Sequence, residues 1–148
     1  MTSKELDNLV QIGLLKSEPG DQKEFDGLLE SGRTRLTDAQ VNTLSPESQF
    51  TLTYDAAHAL SLAALRWHGY RPDKTRYVVF QALQHTLGLK PEIWRVLATC
   101  HQRRNSAEYE GTFLVDTQLL ADLLTITNRL HEAVEKLGPV QQGGGRQK

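Results

Sequence analysis

Residues 45–70 read SPESQFTLTYDAAHALSLAALRWHGY, and this stretch decides the fold. Ser45 is a preferred N-cap residue, and Pro46 suits the first helical position. Apolar residues then recur every three or four positions: Phe50, Tyr54, Ala57, Leu60, Ala64 and Trp67. Three more widen this stripe: Leu52, Ala56 and Ala63. We therefore predict a long helix that is buried on two sides and ends at Gly69.

The segments on either side of this stretch also predict helices. Helix starts are marked by a capping residue or a proline: Thr2 (with Glu5 three positions later), Asp21 (with Glu24) and Pro91. A shorter helix is predicted over residues 74–87, and Gly32 is a predicted weak point in the second helix. The last helix has the most regular apolar stripe: Val115, Leu119, Leu123, Ile126, Leu130, Val134 and Leu137. No alternating pattern predicts a strand, so we predict an all-α fold, an up-and-down bundle of four to five helices.

The length of 148 residues corresponds to one domain. We predict an N-terminal helical extension over residues 1–20, a helical bundle over residues 21–138, and a disordered tail over residues 139–148. Gly138-Pro139 stops the last helix, and the glycine-rich run that follows is typical of a loose tail.

The composition excludes several classes of protein. Apolar residues make up 39% and charged residues 24% of the chain, which is typical of soluble globular proteins. No apolar run approaches the about 20 residues of a membrane span, and the N-terminus does not read as a secretory signal. Cys100 is the single cysteine, and no Cys/His grouping has zinc-site spacing. We expect a cytoplasmic protein without a metal or cofactor, in which Cys100 is a buried apolar residue rather than a nucleophile.

The charge is distributed unevenly along the chain. Residues 1–50 carry five basic and nine acidic residues, residues 66–104 carry eight basic and two acidic, and residues 105–137 carry two basic and six acidic. A basic middle between acidic flanks indicates a local anion site rather than a surface that binds nucleic acid everywhere. The alternative is a solvated basic surface that compensates its acidic neighbours.

Residues 100–111, CHQRRNSAEYEG, do not read as simple packing. The apolar stripe of the preceding helix runs through Ile93, Leu97 and Cys100 and then reaches Arg104. A guanidinium on a core-facing stripe is costly unless it is paired or opens into a cleft or an interface. Two interpretations follow: an anion site at Arg104, or an ion pair of Arg104 with Glu108 or Asp55 that staples the bundle.

Other polar residues of this segment can act together with Arg104. His101 and Glu108 share its helical face if the helix continues, and Asn105 is the predicted point at which the helix could break. Arginine, asparagine, tyrosine and histidine together can bind a phosphate or a nucleotide edge. The candidate binding residues are Arg104, Asn105, Tyr109, Arg103, Glu108 and Asp55, with Arg103 about 100° further round the helix and facing solvent.

The pattern Arg104-Asn105-x-x-x-Tyr109 in a small helical protein resembles the signature of the HEPN (higher eukaryotes and prokaryotes nucleotide-binding) superfamily. The stretch from Phe50 to Ala57, the helix exit Gly69-Tyr70-Arg71 and the segment from Val79 to Leu83 resemble a bacterial subgroup of it. The resemblance covers roughly residues 25–137.

This resemblance implies a four- to five-helix bundle that forms a homodimer with the two motifs facing a shared cleft. In many members that cleft is a metal-independent ribonuclease site, in which the arginine holds the scissile phosphate and a histidine handles protons. Such proteins act in toxin–antitoxin and phage-defence systems, often beside a nucleotidyltransferase-type antitoxin. A homodimer also follows from the long helix, whose two apolar sides exceed what one chain of this size is expected to cover.

Carried over to this chain, Arg104 takes the arginine role and Tyr109 stands where the family has histidine. A phenol with a pKa near ~10 is a poor general base at neutral pH, so we expect binding of RNA or a nucleotide rather than cleavage. The alternative is a metal-independent endoribonuclease whose catalytic residues are Arg104 with Tyr109 or His101. A second alternative is a non-catalytic dimeric interaction module.

Overall fold

The computed structural model describes the backbone of residues 3–110 and 115–140 and the side chains of residues 3–106 and 115–140. These ranges contain helices α1 (Lys4–Gln11), α2 (Gln22–Ala39), α3 (Pro46–Trp67), α4 (Val78–Gln81), α5 (Leu83–Thr86), α6 (Pro91–Glu110) and α7 (Thr117–Glu135). The predicted all-α helical bundle is confirmed. None of the described helices is both long and apolar enough to cross a membrane.

One short antiparallel pair of strands was not predicted. Strand β1 (Leu15–Ser17) pairs with β2 (Tyr70–Pro72), and Lys16 lies opposite Arg71. Each strand has three residues, which is too short for an alternating pattern to be recognised in the sequence. The pair ties the segment before α2 to the exit of α3.

Helix α3 begins and ends as its sequence predicts. The Ser45 hydroxyl accepts a hydrogen bond from the Ser48 backbone N–H at 3.1 Å, and Pro46 occupies the first turn. At the other end Gly69 has a φ of +89°, a left-handed conformation that favours glycine and lets the chain leave the helix. Both terminal signals are therefore local and readable from the sequence.

One chain covers both apolar sides of α3. This helix contacts α2, α4, α5, α6, α7 and β2. Its residues Phe50, Ala57, Leu60 and Ala64 are almost fully buried in the common core. The argument for a homodimer from an uncovered α3 stripe is therefore wrong, and the homodimer itself stays a prediction.

Several predicted helix boundaries need correction. The N-cap of α1 is Ser3, whose hydroxyl accepts from the Leu6 N–H at 3.3 Å, whereas Thr2 lies outside the described residues. The single helix predicted over residues 74–87 is two short helices, α4 and α5, that meet at Ala82. The predicted break at Asn105 is wrong, because α6 continues without interruption to Glu110.

Residues near both ends of the described chain join the same core. Leu6 of α1 and Leu15 of β1 are buried, and so is Val140, whose N–H donates to the Gln22 side chain at 2.7 Å. The Trp67 indole N–H lies within hydrogen-bond distance of the Gly138 carbonyl at 3.1 Å. These contacts close the bundle around the end of α3.

A buried guanidinium holds this end of the molecule together. Arg66 is 1% exposed, and its Nε donates to Glu24 Oε1 at 2.9 Å. Its terminal nitrogens donate to the backbone carbonyls of Glu18, Pro19 and Tyr70 at 2.8–3.2 Å. Burial acts to raise the pKa of Glu24, but hydrogen bonds from Arg66 and Arg71 outweigh it and hold that pKa below its ordinary value.

Gly32 is a packing contact rather than a weak point. It is buried in α2 where this helix meets α3, and a Cβ atom added there would lie 2.6 Å from Leu60 Cγ. Gly27 lies in the same helix, and an added Cβ would meet nothing within 4 Å. Close approach of α2 and α3 therefore requires glycine at position 32 but not at position 27.

We expect Gly32→Ala to destabilise the protein by about 1–3 kcal/mol, because the Leu60 side chain must be displaced. Gly27→Ala is the matched control and should stabilise by about 0.5–1 kcal/mol through helix propensity. Urea unfolding of both variants measures the difference, and stabilisation by both substitutions would contradict this packing.

Candidate functional site

Arg104 points from α6 toward α3, where it meets two consecutive residues. Its Nη2 lies 3.6 Å from Asp55 Oδ1, and its guanidinium carbon lies 4.9 Å from the centre of the Tyr54 ring. The side chains of Arg104 and Asp55 remain 28% and 33% exposed. The predicted pairing with Asp55 is thus present, but it is long and partly open to solvent, and within the described residues no hydrogen bond occupies the other guanidinium N–H donors.

Three arginines surround one cavity beside this pair. The arginine pocket has a volume of about 570 Å³ and lies between α2, α3 and α6. Its lining consists of Leu28, Ser31, Arg35, Asp55, His58, Ala59, Leu62, Arg76 and Arg104. Among the described lining residues, three guanidiniums face one carboxylate, so this lining is electropositive although the whole protein has a net charge of −1.

His58 forms the floor of the arginine pocket and is neutral. Its Nε2 accepts a hydrogen bond from the Arg76 Nε–H at 3.3 Å, and its ring packs edge-on against Phe80. Burial, and then the positive charge of Arg76, lower the pKa of His58 to about 4. The histidine therefore orients Arg76 without adding a competing charge.

A hydrogen-bonded chain of three side chains adjoins Arg104. The Asn105 amide donates to His101 Nε2 at 3.1 Å, and His101 Nδ1 lies 2.7 Å from the Tyr54 hydroxyl oxygen. In this arrangement the Nδ1–H donates to Tyr54. Burial, followed by the charges of Arg104 and Arg76, lowers the pKa of His101, so its imidazole is neutral at pH 7.

A second cavity lies on the other side of His101. This amide pocket has a volume of about 590 Å³ and is lined by Tyr77, Ala98, His101, Gln102, Asn105 and Ser106. Its described lining contains no Lys, Arg, Asp or Glu. The described linings of the two pockets therefore differ in charge, although Arg104 of one and Asn105 of the other are neighbours on α6.

The structure brings together some of the predicted site residues. Asp55, His101, Arg104 and Asn105 lie close together in two adjacent clusters. Arg103 is exposed, as its position on the helix predicts. The predicted site residues Glu108 and Tyr109 belong to α6, but their side chains lie outside the described residues.

Other residues of the site were missed by the sequence analysis. His58 lies three positions after Asp55 and four after Tyr54 on α3. This spacing places His58 near both side chains and could have been recognised in the sequence. Arg35, Arg76 and Tyr77 belong to no motif, and only the folded chain brings them to the site.

Cys100 lines neither of the two pockets. Cys100 is fully buried, and burial raises the pKa of its thiol to about 12, which is consistent with the predicted apolar role. Within the described residues, no group of three or more His, Cys, Asp or Glu side chains could hold a metal ion.

Comparisons with known proteins add no assignment to this site. No protein-family model, curated protein or solved structure matches the chain. Function is therefore inferred from the two pockets and from the residues themselves.

The low pKa of His58 predicts a loss of stability on acidification. The unfolded histidine takes up a proton near pH 6.5, whereas the folded one does so only near pH 4, so protons favour the unfolded chain between these values. We expect the His58 contribution to cost about 2 kcal/mol on going from pH 7 to pH 5.

Urea unfolding at the two pH values, with His58→Gln as the comparison, measures this cost. The variant should lose less stability than the wild type between pH 7 and pH 5. An equal loss in both proteins would show that His58 is not the group responsible.

Proposed function

We propose that this protein binds RNA or a nucleotide through phosphate held in the arginine pocket, and that it is a HEPN-like protein. The observation that carries the proposal is the described lining of this pocket, in which Arg35, Arg76 and Arg104 face one carboxylate, that of Asp55. A phosphate group brings the negative charge that such a pocket lacks, and it accepts several N–H donors at once.

Arg104 is the residue best placed to anchor the phosphate. Asp55 and the Tyr54 ring fix the direction of its side chain without enclosing it. A guanidinium whose position is already fixed loses less conformational entropy when a ligand arrives. Its planar set of donors matches two phosphate oxygens, which a lysine at this position would not do.

Arg76 supplies a second fixed donor to the same space. Neutral His58 accepts from its Nε–H at 3.3 Å, and the Arg76 Nη2 lies 3.4 Å from His58 Nδ1, so this guanidinium is held in place and keeps its positive charge. Arg35 approaches from α2, where its side chain donates to the Ser31 hydroxyl. Helices α2 and α6 and the turn before α4 thus contribute one cation each, and a phosphate between them would be held from several directions.

The wider biological setting is proposed from the resemblance alone. It comprises a homodimer, a cytoplasmic location, and a bacterial toxin–antitoxin or phage-defence system with a nucleotidyltransferase-type antitoxin. In that setting the pockets of two protomers would lie near each other, and one RNA strand could contact both.

A second candidate function is metal-independent cleavage of RNA, and the environment of His101 favours it. The imidazole is neutral, and Tyr54 and Asn105 fix its orientation. Its Nε2 is a proton acceptor that Asn105 caps in this structure. A general base near an arginine that holds phosphate is what such cleavage requires.

For the binding function, we expect Arg104→Ala to weaken RNA affinity by about 10- to 100-fold, the range for loss of charge-assisted hydrogen bonds. Arg103→Ala is the matched control on the exposed side of α6 and should change affinity less than about twofold at ~0.15 M salt. Fluorescence anisotropy with a labelled single-stranded RNA gives both values. Equal losses would mean that only a general basic field acts.

For the cleavage function, we expect the wild type to show little or no RNA cleavage in the presence of EDTA, because Tyr109 is a poor base at neutral pH. Gel analysis of labelled RNA tests this expectation. Robust cleavage that Tyr109→Phe abolishes would make the phenol a participant in the reaction. Cleavage that survives Tyr109→Phe, and that His101→Ala but not His85→Ala abolishes, would assign the base to His101.

A further inference from the structure

Helix α6 presents a second set of side chains beside Arg104. Ala98, His101, Gln102 and Asn105 follow one another at spacings of three, one and three, which places them along one side of the helix. Tyr77, immediately before α4, lies beside them, and its ring centre is 5.3 Å from that of His101. Together with Ser106 these residues line the amide pocket, which is broadly open to solvent.

The lining of the amide pocket suits an uncharged, flat and polar group. Tyr77 and His101 offer aromatic rings, while Gln102 and Asn105 offer carboxamides that both donate and accept. Within the part of the chain that the structure describes, no hydrogen bond occupies the Gln102 amide. Asn105 uses its Nδ2 toward His101, and its carbonyl oxygen remains an acceptor.

Nucleobases have this combination of properties. Their faces stack on aromatic side chains, and their edges pair with carboxamides through a donor and an acceptor. A phosphate would gain little here, because the described lining holds no cation. A purely apolar group would pair with neither the Gln102 amide nor the Asn105 carbonyl oxygen.

The two pockets are joined through Tyr54. One face of its ring lies against the Arg104 guanidinium, which lines the arginine pocket. Its hydroxyl contacts His101, which lines the amide pocket. Arg104 and His101, which line the two pockets, therefore contact the same side chain, so the pockets are neighbours on the molecule.

We infer that the amide pocket binds the nucleobase of the ligand whose phosphate lies in the arginine pocket. This inference rests on the proposed function and extends it, because it makes the base a contact in its own right. The ligand is then a nucleotide unit, either free or within a single strand. Gln102 and Asn105 read its edge, and Tyr77 with His101 stacks on its face.

The test compares ligands that differ only in the base. Isothermal titration calorimetry measures the affinity of the full chain for the four ribonucleoside monophosphates and for ribose 5-phosphate. It also compares an RNA hexamer with a hexamer of abasic ribose-phosphate units. We expect a ligand with bases to bind about tenfold more tightly than its abasic counterpart, the scale of one stacked base.

Two variants examine the pocket itself. Gln102→Ala and Ala98→Leu, the second of which fills the pocket, should remove most of this preference and leave affinity for the abasic ligands unchanged. Gln84→Ala is the matched control, because Gln84 is exposed and lines neither pocket, and it should behave as the wild type. A preference seen with the hexamer but not with monophosphates would support the inference and identify the ligand as a strand.

The failure of this inference and that of the proposed function give different results. Equal affinity for ligands with and without a nucleobase, with both weakened by Arg104→Ala, would contradict base binding in the amide pocket and leave the proposed phosphate binding intact. A base preference that Gln102→Ala and Ala98→Leu leave unchanged would also overturn it. No binding of any of these ligands, or binding that Arg104→Ala does not affect, would overturn both proposals.

Discussion

The architecture depends on the burial of one positive charge, the guanidinium of Arg66. An uncompensated ion in the interior costs several kcal/mol, so the end of α3 can be buried only if acceptors surround it. Glu24 and the carbonyls of Glu18, Pro19 and Tyr70 supply them. Those partners are the entry to α2 and the start of β2, so satisfying Arg66 fixes how the chain wraps around α3. Fixing α3 in this way also fixes the positions of Tyr54, Asp55 and His58, the residues that α3 contributes to the candidate site.

Helix α3 also contributes to the candidate site, where Asp55 and Tyr54 contact Arg104 but leave it partly exposed. At Arg66 the acceptors enclose the charge, whereas at Arg104 a single carboxylate of α3 approaches at 3.6 Å and the guanidinium remains 28% exposed. Acceptors surround the Arg66 guanidinium, whereas within the described residues the Arg104 guanidinium keeps N–H donors that make no hydrogen bond. Neutral His58 and His101 sharpen this contrast, because they orient neighbouring groups without adding charge. Arg66 thus stabilises the fold, whereas Arg104 is the arginine that we propose for ligand binding.

The parts of the fold that local signals control could be predicted from the sequence. The ends of α3 follow from Ser45-Pro46 and Gly69, and Asp55 is one of the two ion-pair partners that the sequence suggested for Arg104. Features that depend on distant contacts could not be read in this way. The pairing of β1 with β2 joins residues more than fifty positions apart. The error at Asn105 was local instead, because its amide bonds to His101 one turn earlier, a contact that an uninterrupted helix allows. Of the charged residues that line the arginine pocket, Arg104 and Asp55 were candidates from the sequence. Arg35 and Arg76 were not, because they come from other parts of the chain and belong to no motif.

If the three arginines form one oxyanion site, a bound oxyanion can be located there. Crystals soaked in tungstate, a strong anomalous scatterer that resembles phosphate, would show where the anion binds. We expect the strongest anomalous peak inside the arginine pocket, within hydrogen-bond distance of Arg104 and of Arg35 or Arg76. An empty pocket in crystals that bind tungstate elsewhere would contradict it.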